Sequence, residues 1–269
     1  MNATLSFRWL GVAGIELRLG ERVLLIDPFL TRPPLRYLRF GRPAPDVARI
    51  SRHIPNCDYI LVSHAHYDHL MDVPVLLHQN PQAIACGSPN TCRLLEVAGV
   101  PQNQRRLIAV GERLVLPPFK VSVLHGEHVR LPPGFRFAGS LPEILRYPLR
   151  LSDYRMDECF AFFLEADGYR ILYGEAPQPA DVLFAAPLRF SVETLKIIQP
   201  RLIVPIHWDR FFRPLDKPVR PLPGLPRYVN SLKRFKRMVE TTLPGVRIWL
   251  PRLFEDYQLS SLLSTAYDR

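Results

Sequence analysis

Hydrophobic positions fall in short runs along the chain, and most of these runs have the length and composition of β-strands. The alternation of Ile15, Leu17 and Leu19 with charged residues is typical of a half-buried strand. We predict strands at residues 5–10, 14–19, 22–26, 58–63, 83–86, 107–110, 113–116, 119–124, 159–165, 170–173 and 202–205.

Three helical segments interrupt these strands. Ser88 followed by Pro89 predicts a capped helix that ends near Gly99, because serine caps helices and proline suits their first position. Residues 191–198 and 230–240 are also predicted to be helical, the second of them capped by Asn230. Because many strands follow one another without a helix between them, the sequence favours an α/β sandwich over a parallel βαβ fold.

Two segments, at about 130–157 and 212–228, match no regular element. They are rich in proline, arginine and aromatic residues, and proline overall, at 28 of 269 residues, is about twice its usual share of ~5%. Long irregular loops within a compact chain are commonly lids or binding loops. We expect one domain over residues 1–269 with these segments as lids; packed connectors without ligand contact are the alternative.

Composition excludes several classes of protein. With 47% hydrophobic and 22% charged residues, the chain can bury a core, so wholesale disorder is excluded. No apolar run approaches the roughly 18 residues of a membrane-spanning helix, and the first residues lack the pattern of a signal peptide. The four cysteines form no CxxC pair, which indicates small core residues in a reducing compartment and a cytoplasmic location.

The net charge of +10 is concentrated in one part of the chain. Residues 201–252 hold 12 basic and three acidic residues, which suits an anionic partner such as nucleic acid, a membrane surface or a charged substrate. The helix predicted at 230–240 carries several of these charges. It could grip a phosphate backbone, or its basic residues could simply form a solvated face opposite a core stripe, which we favour.

The chemistry is concentrated in His64-Ala65-His66-Tyr67-Asp68-His69, where four potential metal ligands lie within six residues directly after a strand. Imidazole and carboxylate groups bind zinc, iron and manganese. Three neighbouring histidines would repel one another on protonation unless a cation or acidic groups organised them. The segment therefore predicts a metal site with Zn²⁺ as the expected ion, one or two per chain, and Mn²⁺ or Fe²⁺ as alternatives.

This HxHxDH motif after a short strand resembles the metallo-β-lactamase superfamily. The segments 9–14 and 24–29 resemble the opening hairpins of the same superfamily. The subgroup it resembles most contains ascorbate-6-phosphate lactonase and N-acyl-phosphatidylethanolamine phospholipase D. The resemblance covers roughly residues 5–210 and implies a four-layer αββα sandwich with the metal site at one edge of the two sheets.

The resemblance also implies a ligand set. His64 and His66 would bind a first metal, and Asp68 and His69 a second. The third histidine of the first site should follow a later strand, where both His125 and His128 are candidates and His128 is preferred. The remaining ligands that the resemblance implies are His207 and Glu175. Asp27 would orient the imidazole of one ligand.

Glu175 departs from the superfamily pattern, in which a strand ends in Gly-Asp and the aspartate bridges two metals. Here the strand ends in Gly174-Glu175. The longer side chain could bridge both metals, bind one or bind neither, so the number of metals stays open.

The function that follows is hydrolysis by a metal-activated water, with Asp68 orienting the nucleophile or carrying its proton. We expect a phosphodiester, ester or lactone bond in a small anionic, partly apolar substrate. Candidate substrate contacts are Tyr67, Arg136, Arg146 and Arg213, because guanidinium groups bind phosphate and carboxylate. The alternatives are an RNA- or DNA-processing nuclease of the same fold, and a non-catalytic metal-binding protein. The sequence carries no signal for oligomeric state.

Overall fold

The computed structural model describes residues 4–129, 137–187, 190–222 and 231–264. Within these ranges the strands are β1 (Ser6–Gly11), β2 (Gly14–Leu19), β3 (Arg22–Ile26), β4 (Tyr59–Leu61), β5 (Ile84–Gly87), β6 (Arg105–Leu107), β7 (Arg113–Leu116), β8 (Phe119–His125), β9 (Phe160–Ala166), β10 (Tyr169–Tyr173), β11 (Val182–Ala185), β12 (Leu202–Pro205), β13 (Arg247–Ile248) and β14 (Asp256–Gln258).

The helices within the same ranges are mostly short. They are α1 (Val47–His53), α2 (Tyr67–Leu70), α3 (Val73–Gln79), α4 (Pro89–Val97), α5 (Val192–Ile198), α6 (Leu232–Thr242) and α7 (Leu259–Ser264). Single 3₁₀ turns lie at Leu35–Leu38, Gln102–Gln104 and Leu151–Asp153.

The strands form two seven-stranded mixed sheets. The first sheet has the order β14-β1-β2-β3-β4-β5-β6, antiparallel as far as β3 and parallel from β3 to β6. The second has the order β13-β12-β11-β10-β9-β8-β7, antiparallel from β7 to β10 and parallel from β10 to β13. Helices lie in the connections of five of these six parallel pairs, and residues 174–181 join β10 to β11 without a helix.

The inner faces of the two sheets share one hydrophobic core. Phe7 of β1 and Phe184 of β11 meet edge to face with their ring centroids 5.3 Å apart, a favourable geometry for aromatic pairs. The outer face of the second sheet packs against α5 and α6 through a separate cluster that includes Leu183, Leu195 and Phe235. The α/β sandwich predicted from the sequence is confirmed.

Several element boundaries differ from the sequence prediction. The strand expected at 107–110 is wrong: β6 lies at Arg105–Leu107, and the backbone then turns, with Glu112 N–H donating to Ala109 O. The predicted cap of α6 is also wrong. Ser231, whose hydroxyl accepts from Arg234 N–H, caps that helix, and Asn230 lies outside the described residues.

The charged positions of β2 are less exposed than an alternating strand predicts. Glu16 is only 1% exposed, and its carboxylate binds the guanidinium groups of Arg8 and Arg18. A buried carboxylate requires such partners, since leaving it unpaired costs several kcal/mol, roughly 3–5 when one partner of a buried pair is removed.

A candidate metal centre between the two sheets

The HxHxDH segment follows the end of β4 at Leu61 and continues into α2. His66 is the last extended residue before the helix (φ −80°, ψ 155°), and its carbonyl accepts from the N–H groups of His69 and Leu70. Asp68 and His69 therefore lie in the first helical turn, while His64 and His66 precede it. The three histidines and Asp68 are all buried.

The structure gathers the potential ligands into two clusters, each with its ligand atoms within 4.8 Å of one another. The first comprises His64, His66 and His128, and the second comprises Asp68, His69 and His207. The clusters adjoin, because the ring centroids of His64 and His69 lie 3.9 Å apart. This grouping is the one that the resemblance implied, with His207 joining the second set.

His128 and not His125 reaches the first cluster. His125 is the exposed last residue of β8, paired in register with Phe160, whereas the His128 ring centroid lies 4.8 Å from those of His64 and His66. Between them a Cβ on Gly126 would lie 2.6 Å from the carbonyl carbon of Phe160. Glycine therefore permits the close approach to β9 that turns the chain towards the cavity.

Each imidazole of the first cluster has one nitrogen held by a neighbouring oxygen. His66 Nε2 lies 2.9 Å from Phe137 O, and His128 Nδ1 lies 2.8 Å from Val129 O. A carbonyl only accepts hydrogen bonds, so these nitrogens carry the protons and the opposite nitrogens carry the lone pairs. Fixing the tautomer in this way is what protein groups do around metal-bound histidines.

Asp27 performs the same task in the second cluster. Its Oδ2 lies 2.8 Å from His69 Nδ1, and the same oxygen accepts hydrogen bonds from Ser63 Oγ at 2.5 Å and Tyr173 Oη at 2.7 Å. Ser63 Oγ also lies 2.9 Å from His64 Nδ1. The sequence analysis anticipated Asp27 but missed Ser63 and Tyr173.

Burial keeps the imidazoles of the first cluster neutral. It lowers the pKa of His66 to about 4 and that of His128 to about 3. The pKa of His64 is held well below its ordinary value by burial and by the neighbouring His69 and His66. Neutral imidazole is the form that binds a metal.

In the second cluster, neighbouring charges outweigh burial and favour the charged forms of the side chains. Burial opposes charge on His69, but the carboxylates of Asp27 and Asp68 outweigh it and raise the pKa of His69. Burial also opposes charge on Asp68, yet His69 and His207 hold the pKa of that carboxyl well below its usual range. Asp68 is thus an ionised carboxylate, with Oδ2 lying 3.2 Å from His207 Nε2.

An unpaired buried nitrogen further supports the fit of these residues to a metal ion. Among the described residues, His64 Nε2 is a buried polar atom without a hydrogen-bond partner. Buried polar atoms are nearly always paired, since leaving one unpaired costs about 1–3 kcal/mol. A cation bound to this nitrogen removes that cost.

Glu175 lies on the wall of the same cavity but outside both clusters. Its Oε1 accepts from the N–H of Ser191 at 2.7 Å, the residue that caps α5. Metal coordination by Glu175 stays a prediction.

Both clusters line a cavity of about 380 Å³. Its lining also includes the apolar side chains of Leu38, Phe137, Phe211, Phe212 and Leu222. No lysine or arginine of the described residues lines it. The cavity thus combines polar ligand groups with apolar side chains.

Of the predicted substrate contacts, Tyr67 lines the cavity, whereas Arg146 and Arg213 do not. Tyr67 lines the cavity and packs against Phe212, with ring centroids 5.9 Å apart. Arg146 is exposed, and Arg213 Nε donates to Pro218 O at 2.8 Å; neither lines the cavity. Arg136 lies outside the described residues.

A known protein family matches the part of the chain that carries the two clusters. The family described as "Beta-lactamase superfamily domain" matches residues 22–208, which include every ligand candidate. The chain belongs to the beta-lactamase superfamily. Within the part of the chain that the structure describes, no helix is long and apolar enough to cross a membrane.

Curated relatives of this superfamily member are named metal-dependent hydrolases. One from Cupriavidus taiwanensis is 27% identical over 230 residues, covering 75% of this chain and 73% of that protein. One from Caldivirga maquilingensis is 22% identical and covers 90% of this chain and 93% of that protein. The match to a Sulfolobus acidocaldarius relative is 38% identical but spans only 30% of that protein.

Solved structures of the superfamily fold also align with this chain. A metallo hydrolase from Ignicoccus hospitalis gives a TM-score of 0.59 at 14% identity, covering 94% of this chain and 97% of that one. A metallo-beta-lactamase fold protein from Bacillus subtilis gives 0.57 at 10% identity, covering 94% and 99%. At such low identity these likenesses establish the fold.

Proposed function

We propose that this protein is a metal-dependent hydrolase that cleaves an ester, lactone or phosphodiester bond. The observation that carries the proposal is the pair of adjoining ligand clusters that line one cavity. Relatives named metal-dependent hydrolases support the same reaction class.

We assign the first cluster, His64, His66 and His128, to one ion, and the second, Asp68, His69 and His207, to another, with Zn²⁺ as the expected metal. When bound, such an ion lowers the pKa of a bound water towards about 7 and polarises the bond to be cleaved. Asp68 is ionised and buried within the second cluster, so its carboxylate can accept a proton from the nucleophile or orient it. Glu175 is the candidate for a bridging ligand.

The substrate we propose is small, partly apolar and anionic. The apolar part would lie against Phe137, Phe211 and Phe212, which leave aromatic surface facing the cavity. The scissile group would lie at the clusters, where a developing negative charge meets cations. Arg136, Arg146 and Arg213 stay candidates for contacts to the charged group of the substrate, and the segments at about 130–157 and 212–228 stay our proposed lids. The lactonase and phospholipase subgroup stays the proposed relationship within the superfamily.

Metal analysis combined with turnover tests this proposal. We expect one or two equivalents of Zn²⁺ per chain and hydrolysis of bis(p-nitrophenyl) phosphate or of members of a lactone panel. Removal of the metal by a chelator should abolish turnover, and added Zn²⁺ should restore it. Full metal loading without turnover of any probe would instead identify a non-catalytic metal-binding protein.

The same preparation tests the nuclease alternative. Phe235 and Val239 of α6 are buried while Lys233, Arg234 and Arg237 face solvent, which supports a solvated basic face. We therefore expect weak RNA binding and no RNA cleavage. Tight RNA binding that falls steeply as salt rises would favour the nuclease instead.

A further inference from the structure

The loop that carries His207 has an unusual backbone. His207 has a φ of +55°, and Val12, which accepts the N–H of His207 at 2.6 Å, has a φ of +48°. Left-handed backbone is disfavoured for residues other than glycine, and most of all for β-branched residues such as valine. Two strained residues therefore face each other across this hydrogen bond, and the surroundings must hold both.

Asp209 and Arg32 form the contacts that hold this backbone in place. Asp209 Oδ1 accepts from the N–H of Val12 at 2.9 Å, and its Oδ2 accepts from Arg32 Nη2 at 3.1 Å. Both side chains are almost completely buried, with exposed fractions of 4% and 1%. Arg32 also lies over the ring of Phe29, 5.5 Å from the centroid, so its guanidinium is fixed on a second side.

The turn between β1 and β2 is shaped to admit this ion pair. A Cβ on Gly11 would lie 2.3 Å from Arg32 Nη2, so only glycine leaves room for the guanidinium at that position. The turn, the loop after β3 and the loop after β12 meet at these few atoms.

A buried ion pair is a poor way to stabilise a fold, because removing two charges from water offsets most of their attraction. Its place beside a strained backbone hydrogen bond points to another role. We propose that Asp209 and Arg32 are positioning residues: they lock Val12, and through it the backbone of His207, in the conformation that presents the His207 imidazole to the second cluster. The metal-binding consequence rests on the proposed function, whereas the locking of the loop does not.

The test uses the double variant Arg32→Met/Asp209→Asn, which removes both charges and leaves no buried charge unpaired. The matched control is Arg8→Met/Glu16→Gln, which removes the ion pair between β1 and β2 in the same way; Glu16 is 1% exposed. Hydrogen exchange is measured on the metal-free proteins, for peptides that contain the His207 amide. Zn²⁺ affinity is measured by competition with a chelator.

We expect the His207 amide to exchange at least about tenfold faster in Arg32→Met/Asp209→Asn than in the control. One Zn²⁺ affinity should fall by about tenfold or more, as when groups that orient ligands are removed, while the other stays within twofold. The control should keep the wild-type affinities.

Two results would overturn the inference. Equal exchange at His207 in the two double variants would show that the ion pair does not hold the loop. Faster exchange with unchanged Zn²⁺ affinities would show that the held loop does not position a ligand. A wild-type protein that binds none of Zn²⁺, Mn²⁺ and Fe²⁺ would refute the proposed function instead, and the exchange comparison would still decide whether the loop is locked.

Discussion

His69 Nδ1 lies 2.8 Å from Oδ2 of Asp27, so one buried carboxylate fixes the orientation of the imidazole and directs Nε2 towards the second cluster. The backbone of Asp27 is left-handed, with a φ of +48°. Asparagine tolerates this conformation better than most residues do, and an Asp27→Asn variant should therefore fold.

Asp27→Asn should weaken metal binding at the second cluster by about 10–100-fold, the usual cost of losing a carboxylate partner of a ligand histidine. Chelator competition with Zn²⁺ measures the change. Tyr173→Phe is the control, since it removes one hydrogen bond to Asp27 and keeps the carboxylate; its effect should be much smaller. Equal affinities for Asp27→Asn and the wild type would contradict the role of Asp27.

His128→Ala should reduce the metal content of the first cluster, and His125→Ala should not. The reason is placement: His128 lies among the cluster rings and His125 is exposed at the end of β8. Metal content after dialysis against a limiting chelator distinguishes the two variants. A greater loss in His125→Ala would reverse the assignment.

Phe212→Ala should impair turnover of apolar substrates selectively, because its ring forms part of the cavity wall. We expect kcat/KM for an aryl or long-chain ester to fall about tenfold, in line with the loss of a buried aromatic contact, and that for an acetyl ester to change little. Phe40→Ala, at a ring that is 73% exposed, serves as the control. A uniform loss for all esters would show that the ring supports the metal centre instead of the substrate.

The metal-free protein should lose stability as the pH falls from about 6.5 to about 3. Folded His66 and His128 have pKa values of about 4 and about 3, so in this window the unfolded chain binds protons that the folded chain does not. Each such histidine lowers the free energy of unfolding by about 1.4 kcal/mol per pH unit. Urea unfolding with a chelator present, at several pH values, measures the slope.

A His128→Asn variant provides the comparison for that slope. It removes one of the titrating groups, so its stability should depend less steeply on pH by about 1.4 kcal/mol per unit between about pH 6 and pH 5. Identical slopes would mean that His128 titrates normally in the folded chain.

Glu175→Gln should lower the amount of metal retained if the carboxylate bridges the two ions. It also weakens the contact with the N–H of Ser191 at the start of α5. Ser191→Ala is therefore the matched control: it removes the cap of the same helix, at a cost of about 1 kcal/mol, and should keep all metal. If both variants lose only stability, Glu175 serves α5 and is no ligand.

The strands and the sandwich could be predicted because short apolar runs and turn residues are local signals. β11, a four-residue buried strand, was missed, although β12, which is equally short and equally buried, was predicted. The strand expected at 107–110 failed for a tertiary reason. Leu107 is 59% exposed, and the pairing with β5 ends at that residue.

Four members of the clusters lie within six consecutive residues, so the motif alone predicted them. His128 and His207 required the resemblance to a known superfamily, because nothing local marks a histidine as a partner of a distant motif. Tyr173 could not be predicted at all. It lies 146 positions from Asp27 in the chain, and its hydroxyl meets that carboxylate only after the two sheets have packed together.

The division of ligands between the two sheets has a consequence for the newly made chain. His64 to His69 follow β4 of the first sheet, whereas His128 and His207 follow β8 and β12 of the second. A nascent chain thus presents the motif well before His207 has been synthesised. Under the proposed assignment, neither cluster is complete until the two sheets have joined, so metal binding would follow the packing of the sheets and report that they have assembled.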